Sequence, residues 1–73
     1  TSQVVRLVHS TLYDAHKSQA SDIHLEMVPG ALSIKYRIDG VLMSIGVIKG
    51  ADLAEQVISR IKVMSELDIA ERR

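Results

Sequence analysis

The sequence predicts an α+β domain: a helix, a three-stranded antiparallel β-meander and a second helix, with both helices packed on one face of the sheet. Three observations predict it. Apolar residues recur at helical spacing over 3–18, the period drops to 2 over 22–48, and helical spacing returns over 52–67. Two turn pairs, Pro29-Gly30 and Asp39-Gly40, divide the middle stretch into strands expected at 22–28, 31–38 and 41–48.

The first helix places Val4, Val5, Val8, Leu12 and Ala15 on one arc, with Arg6, Ser10, Tyr13, Asp14 and Lys17 opposite. Ser2 is its expected N-cap. In Asp22-Ile23-His24-Leu25-Glu26-Met27 and in Leu32-Ser33-Ile34-Lys35-Tyr36-Arg37-Ile38, apolar and polar residues alternate strictly. A two-residue Asp39-Gly40 hairpin sets Ile38 against Val41, Tyr36 against Met43, Ile34 against Ile45 and Leu32 against Val47, all apolar pairs on one face. A turn at Pro29-Gly30 sets Met27 against Leu32, Leu25 against Ile34 and Ile23 against Tyr36. Pro-Gly twists a two-residue loop the wrong way, so a four-residue loop that keeps this register is expected there. The other face then carries Asp22, His24, Glu26, Lys35, Arg37 and Ser44, with Leu42 as its one apolar member. Gly50 breaks the third strand. Asp52 with Glu55 three residues on is an N-cap and capping-box signal for the second helix.

Composition bounds the function. The 73 residues allow one small domain, whose core must be Val, Ile, Leu and Met because the only aromatic residues are Tyr13 and Tyr36. There is no cysteine for a disulfide or a thiolate metal site. Nine acidic and nine basic residues cancel, which argues against a nucleic-acid partner held by phosphate charge. No apolar run approaches the length of a membrane span and no signal-peptide pattern opens the chain, so an intracellular, soluble setting is expected. The chain opens at Thr1 and closes at Arg73 without a stop signal, so a piece of a longer protein is expected.

Few residues offer chemistry. The four glycines form no phosphate-binding loop. Asp22, His24 and Glu26 alternate on one strand at spacings of roughly 6.5 Å, too spread to converge on a metal, and read as a solvated polar face. His9 and His16 read as boundary residues. Arg37 stands directly opposite Asp22, which fits a half-exposed cross-strand ion pair. Arg60 is harder to place. It falls inside the apolar stripe of Leu53, Val57, Ile61, Met64 and Leu67, and a guanidinium there needs a partner. Two accounts are open: the head snorkels past Leu67 or pairs with Glu66 or Asp68, or it binds an anion.

Three segments carry a family resemblance: Ala20-Ser21-Asp22-Ile23-His24-Leu25-Glu26, Tyr36-Arg37-Ile38-Asp39-Gly40-Val41-Leu42, and the run from Ile58-Ser59-Arg60-Ile61-Lys62 through Asp68-Ile69-Ala70-Glu71-Arg72-Arg73. In order and spacing they closely resemble the hexameric ATPases of type II secretion and type IV pilus assembly. They cover more than half of the chain. Two departures stand out: Gln19 sits where relatives often carry glycine, and Met27 where proline commonly follows the glutamate.

The resemblance implies a PAS-like subdomain that precedes a RecA-like motor core in a homo-hexamer. It implies ATP with Mg2+ in the parent protein, none bound to this piece alone, and partnership with the inner-membrane secretion platform through other domains. The parent would be cytoplasmic and peripheral to the inner membrane, with no nucleic-acid partner. It further implies that Arg37 and Arg60 approach the ATP phosphates, that no catalytic or metal-binding residue lies here, and that 1–73 alone is inactive. Arg72 and Arg73 would enter the linker to the motor core. Two other classes are weighed against this: a PAS-type ligand-sensing or docking module, which needs a cavity between sheet and helices, and an RNA-binding module, which needs a basic, aromatic sheet face.

Overall fold

The computed structural model describes residues 2–64 and 68–72. Helix α1 spans Gln3–Lys17, strands β1, β2 and β3 span Asp22–Val28, Ala31–Ile38 and Val41–Lys49, helix α2 spans Ala51–Met64, and strand β4 spans Asp68–Arg72. The class is α+β as expected. The sheet is not a three-stranded meander, however: it has four strands in the order β3-β2-β1-β4, and β4 runs parallel to β1. The chain leaves β3, passes through α2, and returns to the far edge of the sheet beside β1. The end of the chain thereby converts β1 from an edge to an interior strand.

The expected pairs of β1 and β2 are all present, including Ile23 with Tyr36, Leu25 with Ile34 and Asp22 with Arg37. The loop between them has two residues rather than four, since Val28 pairs with Ala31. Gly30 adopts φ +71°, which with proline's fixed negative φ gives a type II geometry, so the two-residue loop forms despite its unfavourable twist. At the second hairpin Asp39 and Gly40 both have positive φ, 51° and 79°, as a type I′ turn requires.

The far half of the β2–β3 pairing differs from expectation. Tyr36 opposes Met43 and Ile38 opposes Val41, but a bulge then shifts the register. Ile34 opposes Gly46 rather than Ile45, and Leu32 opposes Ile48 rather than Val47. One extra residue in β3 is accommodated at Ile45-Gly46, where glycine lets the strand bend. The slip moves Ile48 onto the helix-covered face and turns Val47 to the side of Ser33.

The two helices lie on the face formed by Ile23, Leu25, Leu32, Ile34 and Tyr36. Val8, Ile23, Leu25, Leu32, Tyr36, Val57, Ile58 and Ile61 are each less than 2% exposed. That filled layer leaves no ligand-sized space between sheet and helices at these residues. Helix cover reaches Ile48 of β3 but not the start of that strand, where Val41 and Met43 remain 60% and 49% exposed. The apolar face is thus covered over β1, β2 and the end of β3, and open at the start of β3. Tyr36 ties the layers together, its hydroxyl donating to the Thr11 carbonyl of α1 at 2.8 Å.

The helix ends follow local chemistry. Ser2 caps α1 as expected, its Oγ accepting from the Val5 amide at 3.1 Å. At the other end the Gln19 amide donates to the His16 carbonyl and the Ala20 amide to the Ala15 carbonyl. This is a Schellman closure with Gln19 in its left-handed position at φ 59°. Helix α2 begins one residue before the expected start. The Gly50 carbonyl accepts from the Ala54 amide, so Asp52 sits within the first turn rather than at the cap. The expected extension of α2 over 65–67 lies outside the described residues.

Two stability outcomes follow from these contacts. Gln19→Gly should raise the thermal midpoint, with a gain of about 1 kcal/mol, because glycine adopts the left-handed conformation without the Cβ clash. Tyr36→Phe should cost about 0.5–1.5 kcal/mol near neutral pH by removing the hydroxyl bond. Burial first, and then the neighbouring Asp14 carboxylate, push the Tyr36 hydroxyl up from 10.0 to about 12. The unfolded chain therefore loses that proton first as pH rises past 10.0, and stability should fall from there to about 12. Melting curves across that range should show this loss in the wild-type chain and less of it in Tyr36→Phe.

Candidate functional site

The strict alternation of β1 sends Ile23 and Leu25 to the core and leaves Asp22, His24 and Glu26 on the opposite, open face of the sheet. Lys35 and Arg37 of β2 reach the same face. Arg72 of β4 joins them and lies 4.0 Å from Glu26. A groove of about 320 Å3 runs across this face beside His24, Ser33, Lys35, Leu42 and Arg72. Charges of both signs line it, and Tyr36 is buried on the other side, so the face offers no stacking platform for RNA bases.

Arg37 is contacted by three groups at once. Its Nε lies 3.3 Å from Asp22 Oδ1 as an ion pair. Its Nη1 donates to the carbonyl of Gly40 in the β2–β3 turn at 3.4 Å. Its Nη2 lies 3.4 Å from His24 Nε2. The Asp22 carboxylate also contacts His24 Nε2 and accepts from the Ser21 hydroxyl at 2.9 Å. Partial burial alone would raise the Asp22 carboxyl. The Ser21 hydroxyl, His24 and the Arg37 charge together outweigh it and hold the group below its ordinary 3.8. So the expected cross-strand pair is present, and His24, assigned to a merely solvated face, is drawn into it. The strand spacing is what hid this: Asp22 and His24 are too far apart along the backbone to look coupled, and the side chains close the gap.

Arg60 is not on the core face. The buried side of α2 is Ala54, Val57, Ile58 and Ile61, with Leu53 half-buried. Arg60 lies about 90° around the helix from the centre of that stripe at 3.6 residues per turn. It is exposed, as is Met64 beyond it. The stripe expected from the sequence takes in both because it omits Ala54 and Ile58, which are buried. Among the described residues no carboxylate lies within ion-pair distance of Arg60. Glu66 and the Asp68 side chain, two expected partners, lie outside the described residues. Beside Arg60 an open depression of about 410 Å3 is lined by Ser2, Gln56 and Ser59 together with Val4 and Val63.

The two arginines therefore occupy different layers. Arg37 is on the open face of the sheet, and Arg60 is on the flank of a helix that covers the other face. The structure does not bring them together. Asp22 and His24 touch, whereas Glu26 is paired with Arg72, and the described residues contain no cluster of three groups fit to hold a metal. His9, His16 and Tyr13 are exposed on α1. Lys62 of α2 pairs with Glu71 of β4, a contact that a two-helix, three-strand reading had no place for. No described helix is long and apolar enough to cross a membrane.

A sequence profile of the family described as Type II/IV secretion system protein matches residues 1–73. The chain belongs to that family. It is 51% identical over 70 residues to the putative type II secretion system protein E of Escherichia coli K12, covering 96% of this chain and 14% of that protein. It is 49% identical over the same length to type II secretion system protein E of Aeromonas hydrophila, again 96% of this chain and 14% of the relative. The type II secretion system ATPase E of Vibrio cholerae is 43% identical over 70 residues, with the same coverage. The chain thus spans about one-seventh of the length of these relatives.

The Asp22 carboxyl makes the acid stability of the fold testable. Its folded value is lowered, so its contribution is present above 3.8 and is lost as pH falls through the folded value. Thermal midpoints of the wild-type chain should drop in that acid window. Asp22→Asn should be less stable near neutrality and should show a shallower acid decline; an equal decline in both would remove Asp22 from the account.

Proposed function

We propose that this chain is a subdomain of a secretion ATPase that powers type II protein secretion or type IV pilus assembly, and that it lends arginines to the ATP phosphates. The observation that carries the reading is identity of about half over nearly the whole chain to type II secretion proteins E. One relative is itself called an ATPase. In this reading the chain packs beside a RecA-like core within a homo-hexamer, works at the cytoplasmic side of the inner membrane, and meets the secretion platform through other parts of the protein.

The residues present fit a contributing role rather than a complete nucleotide site. The sequence has no phosphate loop, and the described residues hold no metal-binding cluster. Arg60 is exposed, carries its full charge and is flanked by Ser59 and Gln56, which can donate to an anion. Arg37 is half-exposed and pre-oriented. Bound ATP with Mg2+ would supply the phosphoryl group for hydrolysis. The task of Arg37 and Arg60 is to present positive charge to phosphate oxygens from a domain outside the motor core. The PAS-type sensor reading is disfavoured by the filled layer between helices and sheet.

Steady-state ATP hydrolysis by the full-length protein tests the assignment. Arg37→Ala and Arg60→Ala should each lower turnover roughly tenfold or more, in the range lost when one charge-stabilising donor is removed. Both variants should remain folded by circular dichroism, because Arg60 supports no described contact and Arg37 is partly solvated. Unchanged turnover in both would remove the proposed role. The 73-residue chain alone should not hydrolyse ATP.

A further inference from the structure

Arginine has five N–H donors in a fixed plane. In Arg37, Nε faces Asp22 in an ion pair and one N–H of Nη1 donates to the Gly40 carbonyl. The Nη2 contact with His24 cannot be a full hydrogen bond while His24 Nε2 keeps a proton for Asp22, since one ring nitrogen cannot donate and accept together. At least one N–H therefore remains on each terminal nitrogen. Two parallel N–H groups on neighbouring nitrogens form the fork that matches two oxygens of one phosphate.

Asp22 stands against the Nε side of the same guanidinium. Among the described residues it is the one carboxylate paired with Arg37, and it lies directly opposite Arg37 across the β1–β2 pair. Strand β4 adds a second fixed neighbour, since Asp22 pairs with Asp68 along the backbone. The Ser21 hydroxyl and His24 hold the carboxylate in turn. Among the described residues, the other charged groups on this face are Glu26, which lies against Arg72, and Lys35, which lines the groove beside Ser33.

We propose that Asp22 is a positioning residue for Arg37, acting with the Gly40 carbonyl to preset the guanidinium so that its terminal nitrogens receive a phosphate. The proposal rests on the reading that Arg37 serves the ATP phosphates. It gives Asp22, the start of the Asp22-Ile23-His24-Leu25-Glu26 run, a role in phosphate recognition through Arg37 rather than in the fold alone.

The test is kcat/KM for Mg-ATP in the full-length protein carrying Arg37→Ala, Asp22→Asn or Asp22→Glu, with thermal midpoints measured alongside. Asparagine keeps the shape of the side chain and loses its charge; glutamate keeps the charge and changes the shape. Positioning through a charged hydrogen bond predicts that Asp22→Asn loses about three- to tenfold in kcat/KM and that Asp22→Glu retains more activity than Asp22→Asn. A merely structural role predicts the reverse order, because the isosteric asparagine disturbs packing less. That reverse order, or wild-type activity in both Asp22 variants while Arg37→Ala is impaired, overturns the positioning role and leaves the Arg37 assignment standing. Wild-type activity in Arg37→Ala overturns the assignment itself, and the positioning role with it.

Discussion

The burial of Ile23 and Leu25 on β1 is the constraint from which the rest of the structure follows. Both are fully buried between sheet and helices. Because side chains alternate along a strand, their burial forces Asp22, His24 and Glu26 onto the opposite face. The same constraint fixes β2, whose Tyr36 and Ile34 must meet Ile23 and Leu25. That in turn sets Arg37 beside Asp22. A shift of one residue in β1 would expose two core side chains, at a cost of about 1.5–3 kcal/mol each, and would also separate the carboxylate from the guanidinium. Fold and candidate site are specified by one alternation.

How much of this can be read from the sequence depends on how local the cause is. The β1–β2 register is legible because its turn pair and its two alternating runs are contiguous. So is the Ser2 cap. The β3 bulge is less so: Gly46 in a strand interior is a signal for one, but the regular pairing Ile34–Ile45 and Leu32–Val47 looked complete without it. What decides the matter is distant. Ile48 must reach the core beside Leu32, and the Gly50 amide donates to the Gly30 carbonyl across the end of the sheet.

Strand β4 illustrates the opposite limit. Its partner, β1, is more than forty positions away, and its own pattern is weak. Only Ile69 gives an apolar signal toward the helices. The next position on that side is Glu71, a carboxylate where a strand pattern calls for an aliphatic residue. The structure satisfies it with Lys62 from α2. A salt bridge between a helix and the strand that follows it thus replaces a hydrophobic contact, and the replacement erased the period-2 signature. Periodicity likewise misplaced Arg60. A stripe drawn through Leu53, Val57, Ile61 and Met64 takes in Arg60, whereas adding Ala54 and Ile58, both buried, rotates the stripe away from it.

The two arginines also differ in what they can contribute to an anion. Arg37 is already paired with Asp22, so much of its charge is compensated and its long-range field is small. Its value lies in geometry, because the carboxylate and the turn carbonyl restrict the guanidinium before any ligand arrives. Arg60 has no described carboxylate partner. Its charge acts over about 8 Å at physiological ionic strength, but ordering its side chain costs up to about 2 kcal/mol of rotamer entropy. A fixed, compensated arginine recognises shape, while a loose, uncompensated one attracts charge. The two sit in different layers of the domain, one on the sheet and one on the helices, so under the proposed reading Arg60 would serve the attraction of phosphate and Arg37 its alignment.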